Sequence, residues 1–178
     1  IHTANQKFAG LESRNQAKTF IYALLYGAGD AKIGSVVSRG REAGTELKRR
    51  FFDSLPPFKK FKDRVSREAA KGFVKGLDGR KIYVRSAHSS LNTKLQGDGA
   101  IVLKEALVIF DGWIKEKGLD ARIVANVHDE WQVEAHESIA EEIGKLGVAA
   151  IVAAGESLKL NCPLDGDYNV GDNWSETH

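Results

Sequence analysis

Arg122-Ile-Val-Ala-Asn-Val127, His128-Asp129-Glu130 and Trp131-Gln-Val-Glu-Ala135 follow one another without a break. The two flanking runs read as short strands, and the polar triplet between them reads as a hairpin tip that carries one imidazole and two carboxylates. An Asp in a turn commonly caps its own backbone, so the tip alone supports a structural reading as readily as a chemical one. The apolar flanks predict that it is held rigidly. Outward on both sides the pattern becomes helical. Ala100, Leu103, Leu107, Phe110 and Ile114 recur at three–four spacing, which predicts a helix from Asn92 to Lys117 with one buried face. The stretch from Glu137 to Ala154 predicts an amphipathic helix behind the hairpin. Strands set among helices make the fold class α+β.

Further upstream, Phe73-Val-Lys-Gly-Leu-Asp78-Gly79-Arg-Lys-Ile-Tyr-Val-Arg85 places an Asp-Gly turn between short alternating segments, a strong hairpin signal. Lys75, Arg80, Lys81 and Arg85 make that hairpin basic. Before it, helices are predicted from Asp30 to Ser38, Arg41 to Ser54 and Phe58 to Gly72, with Pro56-Pro57 as a break ahead of the last. A lead-in segment precedes a helix from Ser13, a suitable N-cap, to Tyr26, and Gly27-Ala-Gly29 ends it. The segment from Asn161 to Asn173 is turn-rich.

Within the 13–26 helix, Arg14, Lys18, Tyr22 and Tyr26 recur every fourth residue and so form one stripe of two cations followed by two phenols. Phe20, Ile21, Leu24 and Leu25 fall on other faces and can anchor the helix. Cations near a helix N-terminus can bind phosphate oxygens, and a ring further along can lie against a sugar or base. Viewed alone, the stripe is better accounted for by a solvated amphipathic helix with half-buried Tyr rings. Gly27-x-Gly29 follows a helix and lacks Gly-Lys-Ser/Thr, so phosphate-loop and dinucleotide-fold chemistry do not fit.

At 42% apolar and 28% charged residues the chain has the composition of an ordinary globular protein with a core of its own. No run of eighteen apolar residues and no charged-then-apolar leader is present in the sequence, so no membrane association is expected and a cytoplasmic location is. The single cysteine, Cys162, predicts a small buried thiol in a reducing compartment. The net charge of +2 hides a division: residues 1–85 hold 19 Lys or Arg against 8 Asp or Glu, and the remainder hold 7 against 16. A basic surface draws in phosphates, and an acidic site can gather divalent cations that bridge to them.

The helix Arg-x-x-x-Lys-x-x-x-Tyr-x-x-x-Tyr-Gly followed downstream by His-Asp-Glu in a hairpin resembles motifs B and C of family A (polymerase I-like) DNA polymerases. The wording from Lys18 to Gly34, Gly76-Leu-Asp-Gly-Arg-Lys81 and the closing Asn173-Trp174 with His178 is most similar to the replicative branch of short-tailed bacteriophages. The resemblance covers essentially the whole chain. It implies a mostly helical fingers lobe over 1–72, including motif B, joined to part of a palm over 73–178 that carries the basic hairpin, the long helix, the motif C hairpin and the C-terminal helix.

For the residues, the resemblance implies that Arg14 and Lys18 bind the triphosphate of an incoming nucleotide, that Tyr22 lies beside its ribose, and that Tyr26 guards the templating base. His2, twelve residues before Arg14, matches a phosphate-contacting histidine. Asp129 matches one of two metal-binding aspartates of a two-magnesium site. Glu130 and His128 match its neighbours beside the primer end, and with Lys18 complete the catalytic set. Asn92 and Gln96 match minor-groove contacts to primer–template DNA, to which the basic Arg80, Lys81 and Arg85 would add. Tyr22 implies weaker discrimination against chain-terminating sugars than a phenylalanine would give.

The sequence departs from the family pattern in one respect. Motif A, a strand ending in the first metal-binding aspartate, belongs upstream of Arg14, where this chain has no such segment, and there is no methionine. The chain is therefore expected to be the carboxy-terminal piece of a longer polymerase, inactive alone, whose partners are dNTPs, primer–template DNA and the missing upstream half, with a processivity partner for the full-length protein and a phage-infected bacterial host. Two other classes stay open: a nucleotide- or DNA-binding fragment without catalysis, and a metal-dependent hydrolase using His128, Asp129, Glu130 and His136. The eight-residue spacing of those histidines across a hairpin suits a zinc pair poorly.

Overall fold

The computed structural model describes residues 2–178 and divides into two compact units, one up to residue 97 and the other 98–178. The first is built of helices and one small hairpin. Its order is α1 (His2–Ala9), α2 (Arg14–Leu25), α3 (Asp30–Ser35), α4 (Arg41–Ser54), α5 (Pro56–Ala69), β1 (Phe73–Lys75) and β2 (Lys81–Tyr83), ending with the start of α6 (Ser90–Glu116). Helix α2 begins where the sequence predicts: Ser13 is extended and its Oγ accepts the Gln16 N–H at 3.1 Å, satisfying one of the free amides of the first turn. Ala17, Phe20 and Leu24 are buried on one face of α2, whereas Ile21 and Leu25 are only half-buried. Phe20 meets Phe51 of α4 edge-on at 5.4 Å between ring centroids, and with Ile33 and Leu47 they centre the core of this unit.

Several local expectations change. The lead-in segment is a helix, α1, packed on α2 and α4 with Asn5 and Ala9 buried. Pro56 and Pro57 are not a break before α5 but its first turn, where a missing N–H costs nothing. Helix α3 stops at Ser35, short of Ser38, whose backbone is left-handed at φ 55°. Strands β1 and β2 pair antiparallel with Val74 opposite Ile82. The Lys75 N–H donates to Glu68 Oε2 at 3.3 Å, so packing groups the basic hairpin with the helices before it.

The second unit contains the rest of α6, then β3 (Ala121–Val127), β4 (Glu130–Ala135), α7 (Ala140–Ser157) and α8 (Trp174–Thr177). Strands β3 and β4 pair from Ala121↔Ala135 to Val127↔Glu130, which leaves His128 and Asp129 as a two-residue tip. The register shifts between Ile123 and Ala125 and leaves Val124 exposed. Phe110 stacks on Trp131 at 5.5 Å, and with Ile114, Ile143 and Ala150 it forms the core behind the hairpin. On α6 the buried line runs through Ile101, Ala106, Phe110 and Ile114. Ala100, expected inside, is exposed because the larger Ile101 takes the neighbouring buried position, and Leu103 and Leu107 are half-buried. Cys162, also expected inside, is exposed in the irregular segment that follows α7. Among the described residues no helix is long and apolar enough to cross a membrane.

Candidate nucleotide and metal sites

The stripe on α2 faces outward. Tyr22 is 48% and Tyr26 59% exposed, which is too open for rings that merely complete a core. Arg14 and Lys18 are exposed too, and neither has a hydrogen-bond or ion-pair partner among the described residues. Helix α1 brings His2 to the same place: its ring lies 6.2 Å from that of Tyr22, tilted by 50°. Burial, followed by the Arg14 cation and more weakly by Lys18, lowers the His2 pKa from its ordinary 6.5. Its Nδ1 is buried and has no hydrogen-bond partner among the described residues. The two cations and the imidazole form one cluster whose charge and hydrogen-bonding groups suit an anion.

At the far end of the stripe, the Tyr26 N–H donates to Tyr22 O at 2.9 Å, and Gly27 turns left-handed at φ 77°. A side chain at Gly27 would overlap the His88 carbonyl oxygen, so only glycine lets the chain pass there. Asn92 and Gln96 stand one turn apart at the start of α6, Asn92 half-buried and Gln96 exposed. On the basic hairpin, Arg80 is held by Asp78 at 2.6 Å and Lys81 lies over the Phe73 ring at 4.8 Å. Arg85 lies just beyond β2 and is exposed.

The second cluster belongs to the other unit. His128 occupies the hairpin tip with φ 55°, a left-handed conformation uncommon for a residue with a side chain and a form of strain concentrated at functional sites. The turn holds the Asp129 carboxylate in solvent without a partner among the described residues. Glu130 is the opposite case. Its Oε1 accepts from Gln132 Nε2 at 2.6 Å and from Trp174 Nε1 at 2.8 Å, and its Oε2 lies 2.8 Å from His178 Nδ1. The His178 bond, then that of Gln132, lowers the Glu130 pKa below the ordinary carboxylate range. Thr177 Oγ1 in turn donates to Gln132 Oε1 at 3.1 Å. The three contacts from α8 and His178 were not assigned from sequence. The available signal is Gln132 two residues from Glu130 in β4, with Trp174 and His178 far downstream.

No group of three or more His, Cys, Asp or Glu poised to hold a metal occurs among the described residues. The donor set fits magnesium in part. Mg²⁺ is commonly bound by one or two carboxylates together with substrate phosphates and water, and Asp129 offers one carboxylate with both oxygens free.

The chain belongs to DNA polymerase family A, whose model matches residues 2–176. Members of this family generally use a divalent metal ion. Among its relatives, the DNA-directed DNA polymerase of Escherichia phage Phieco32 is 40% identical over 185 residues, covering all of this chain and 30% of that protein. The DNA-directed DNA polymerase of Escherichia phage T7 is 38% identical over 200 residues, again all of this chain and 28% of the relative. DNA polymerase I of Aquifex aeolicus is 34% identical over 174 residues, 93% of this chain and 30% of that one. Among solved structures, the POL domain of Pol1 from M. smegmatis in complex with DNA primer-template and dNTP is similar at a TM-score of 0.71 and 25% identity, over 79% of this chain and 27% of that one. The chain spans no more than 30% of the length of these curated relatives.

Proposed function

We propose that this chain supplies the nucleotide-binding fingers (1–72) and part of the palm (73–178) of a DNA-directed DNA polymerase, which joins a dNTP to a primer 3′-hydroxyl under the direction of a template. The observation that carries this reading is the cluster on α1 and α2: Arg14 and Lys18 unpaired, and the His2 Nδ1 buried without a partner beside them. A triphosphate provides the anionic oxygens that such a cluster lacks. The first turn of α2, where Arg14 lies, has further amides besides that of Gln16, which caps to Ser13.

In this reading Arg14, Lys18 and His2 hold the triphosphate and offset charge that gathers on the leaving pyrophosphate, each contact contributing on the order of a few kcal/mol once water is excluded. Tyr22 lies along the sugar and Tyr26 against the templating base. Asn92, Gln96, Arg80, Lys81 and Arg85 track primer–template DNA. Asp129 would hold magnesium together with an aspartate from the upstream palm, and the metal would supply charge neutralisation at the phosphate under attack and activation of the primer hydroxyl. Glu130, fixed by Gln132, Trp174 and His178, keeps the hairpin tip in place so that Asp129 and His128 reach the primer end. The protein would act in the cytoplasm of a phage-infected cell, with a processivity partner bound outside this chain.

One observation favours a second reading, binding without catalysis. Among the tip carboxylates only Asp129 is free, because Glu130 is engaged on both oxygens. Titration of a dNTP with magnesium onto the purified chain, followed by the environment of Tyr22, tests the common part of both readings. Arg14→Ala and Lys18→Ala are each expected to weaken binding by about 10-fold or more, as loss of a charge-assisted phosphate contact does. Unchanged affinity in both variants would overturn the nucleotide site.

A further inference from the structure

The turn that follows the stripe, Gly27-Ala28-Gly29, has no side chain beyond a methyl with which to fix itself. Its amides close the end of α2, Gly27 N–H donating to the Leu24 carbonyl at 3.1 Å and Ala28 N–H to the Ala23 carbonyl at 2.9 Å, and its carbonyl side is held from outside. Lys48 Nζ on α4 donates to the Ala28 carbonyl at 2.8 Å and pairs with Asp30 Oδ1 at 2.7 Å. Thr45 Oγ1, one turn earlier on the same helix, donates to Asp30 Oδ2 at 3.1 Å. Gly44 lets α4 approach so closely that a Cβ there would overlap the Asp30 carbonyl oxygen. On the opposite flank Gly27 backs onto the His88 carbonyl. The Arg49–Glu46, Arg49–Asp53 and Lys59–Asp63 pairs each run along one exposed helix face, where ion pairs contribute little. Lys48–Asp30 instead joins two elements, and both side chains are largely shielded, 23% and 29% exposed.

We propose that Lys48 and Asp30 are positioning residues for Tyr26: the pair clamps the 27–30 turn to α4 and thereby sets how the exposed phenol meets the templating base. The inference rests on the polymerase reading of Tyr26 and deepens it. Tyr26 is the last residue of the helical ladder, bonded back to Tyr22, so its ring lies where the helix gives way to the turn. With the ammonium removed, the Ala28 carbonyl and the Asp30 carboxylate lose their shared partner. The turn then keeps its own Gly27 and Ala28 amide bonds back to α2 and the Gly27 contact with His88, but loses its tie to α4, and its two glycines let it shift. The effect falls on selection between right and wrong nucleotides more than on the triphosphate contacts of Arg14 and Lys18, which lie about two to three turns away along α2.

The test is single-nucleotide insertion by the full-length polymerase, measuring kcat/KM for matched and mismatched dNTPs in the wild type, Lys48→Met, Lys48→Arg, Asp30→Asn, Tyr26→Ala and the Lys48→Met/Tyr26→Ala double variant. Circular dichroism confirms folding of each. Lys48→Met is expected to raise the mismatch ratio about 10-fold, the factor carried by one charged hydrogen-bond pair. Matched insertion changes little, and Lys48→Arg restores most of the selectivity. The double variant is expected to be no less selective than Tyr26→Ala alone, because the two changes act through one ring. If Lys48→Met does not fold, Asp30→Asn, which keeps size and an acceptor for Thr45, carries the same expectation. Equal losses for matched and mismatched nucleotides, or additive effects in the double variant, would reduce the clamp to a structural tie and overturn the inference while leaving the polymerase reading intact. A Tyr26→Ala variant with wild-type selectivity would instead overturn the reading of Tyr26 itself.

Discussion

A buried imidazole nitrogen without a partner, set beside two unpaired cations, is a state that a fold rarely keeps for its own stability. His2 is such a group, and its pH behaviour follows from what surrounds it. Burial and the Arg14 and Lys18 cations lower its pKa below 6.5 in the folded chain, so at pH values between that lowered value and 6.5 the unfolded chain holds more proton than the folded one. Stability is then full above pH 6.5, declines as the pH falls through that window, and declines no further once both forms are protonated. His2→Gln removes this step in the midpoint of thermal unfolding measured against pH; an unaltered profile in that variant would mean another group is responsible. Tyr22 carries a second expectation at this scale. In the proposed reading its phenol, half exposed beside His2, replaces a contact that a missing sugar hydroxyl would have made. Tyr22→Phe in the full-length polymerase is therefore predicted to lower incorporation of dideoxynucleotides relative to deoxynucleotides, and unchanged use of the two would contradict it.

Elements put these residues in register, and here close approach matters as much as side-chain chemistry. Gly44 lies beneath the Asp30 carbonyl, with Gly34 N next to it, so α3 and α4 touch backbone to backbone. Gly44→Ala forces the helices apart and is predicted to cost about 3 kcal/mol in unfolding free energy, at the upper end for overpacking; a loss within about 0.5 kcal/mol in urea titration would show that the helices yield freely. In the other unit, α8 and His178 bind the hairpin through Glu130 and Gln132. Deleting Trp174–His178 leaves Glu130 with Gln132 alone. Amide protons at Val127 to Trp131 are predicted to exchange faster than in the intact chain, while those of α7 keep their rates. Equal acceleration in both places would indicate general unfolding instead of release of the tip.

The elements that bear the candidate site were legible in the sequence for physical reasons that can be named. Four-residue periodicity put Arg14, Lys18, Tyr22 and Tyr26 on one face, Ser13 began their helix, and apolar runs on either side of His128-Asp129-Glu130 made a hairpin. What escaped were features that depend on residues far apart in the chain. Helix α1 lacks a strong pattern of its own and exists by packing on α2 and α4. Pro56 and Pro57 read as a break, yet proline suits the first turn of a helix as well as it stops one. The Lys48–Asp30 tie and the engagement of Glu130 by Trp174 and His178 join positions whose spacing gives no periodic signal. Cys162 was misplaced because the general burial of cysteine outweighed its turn-rich surroundings.

At the scale of the molecule, an excess of basic residues in 1–85 and of acidic residues in 86–178 sits well with a protein that must hold phosphates with one part and a divalent cation with another. The relatives it matches are more than three times its length, and in the proposed reading both functions meet in a polymerase of that size. The measurement that tests this account most directly is primer extension with magnesium and four dNTPs, comparing this chain alone, the chain combined with the upstream palm, and the combination carrying Asp129→Ala or Arg14→Ala. The account predicts extension only from the unaltered combination, a loss of about 100-fold or more with Asp129→Ala, and a smaller loss with Arg14→Ala that is partly recovered at high dNTP. Extension by the combination that persists unchanged in Asp129→Ala, or no extension from any preparation, would contradict it.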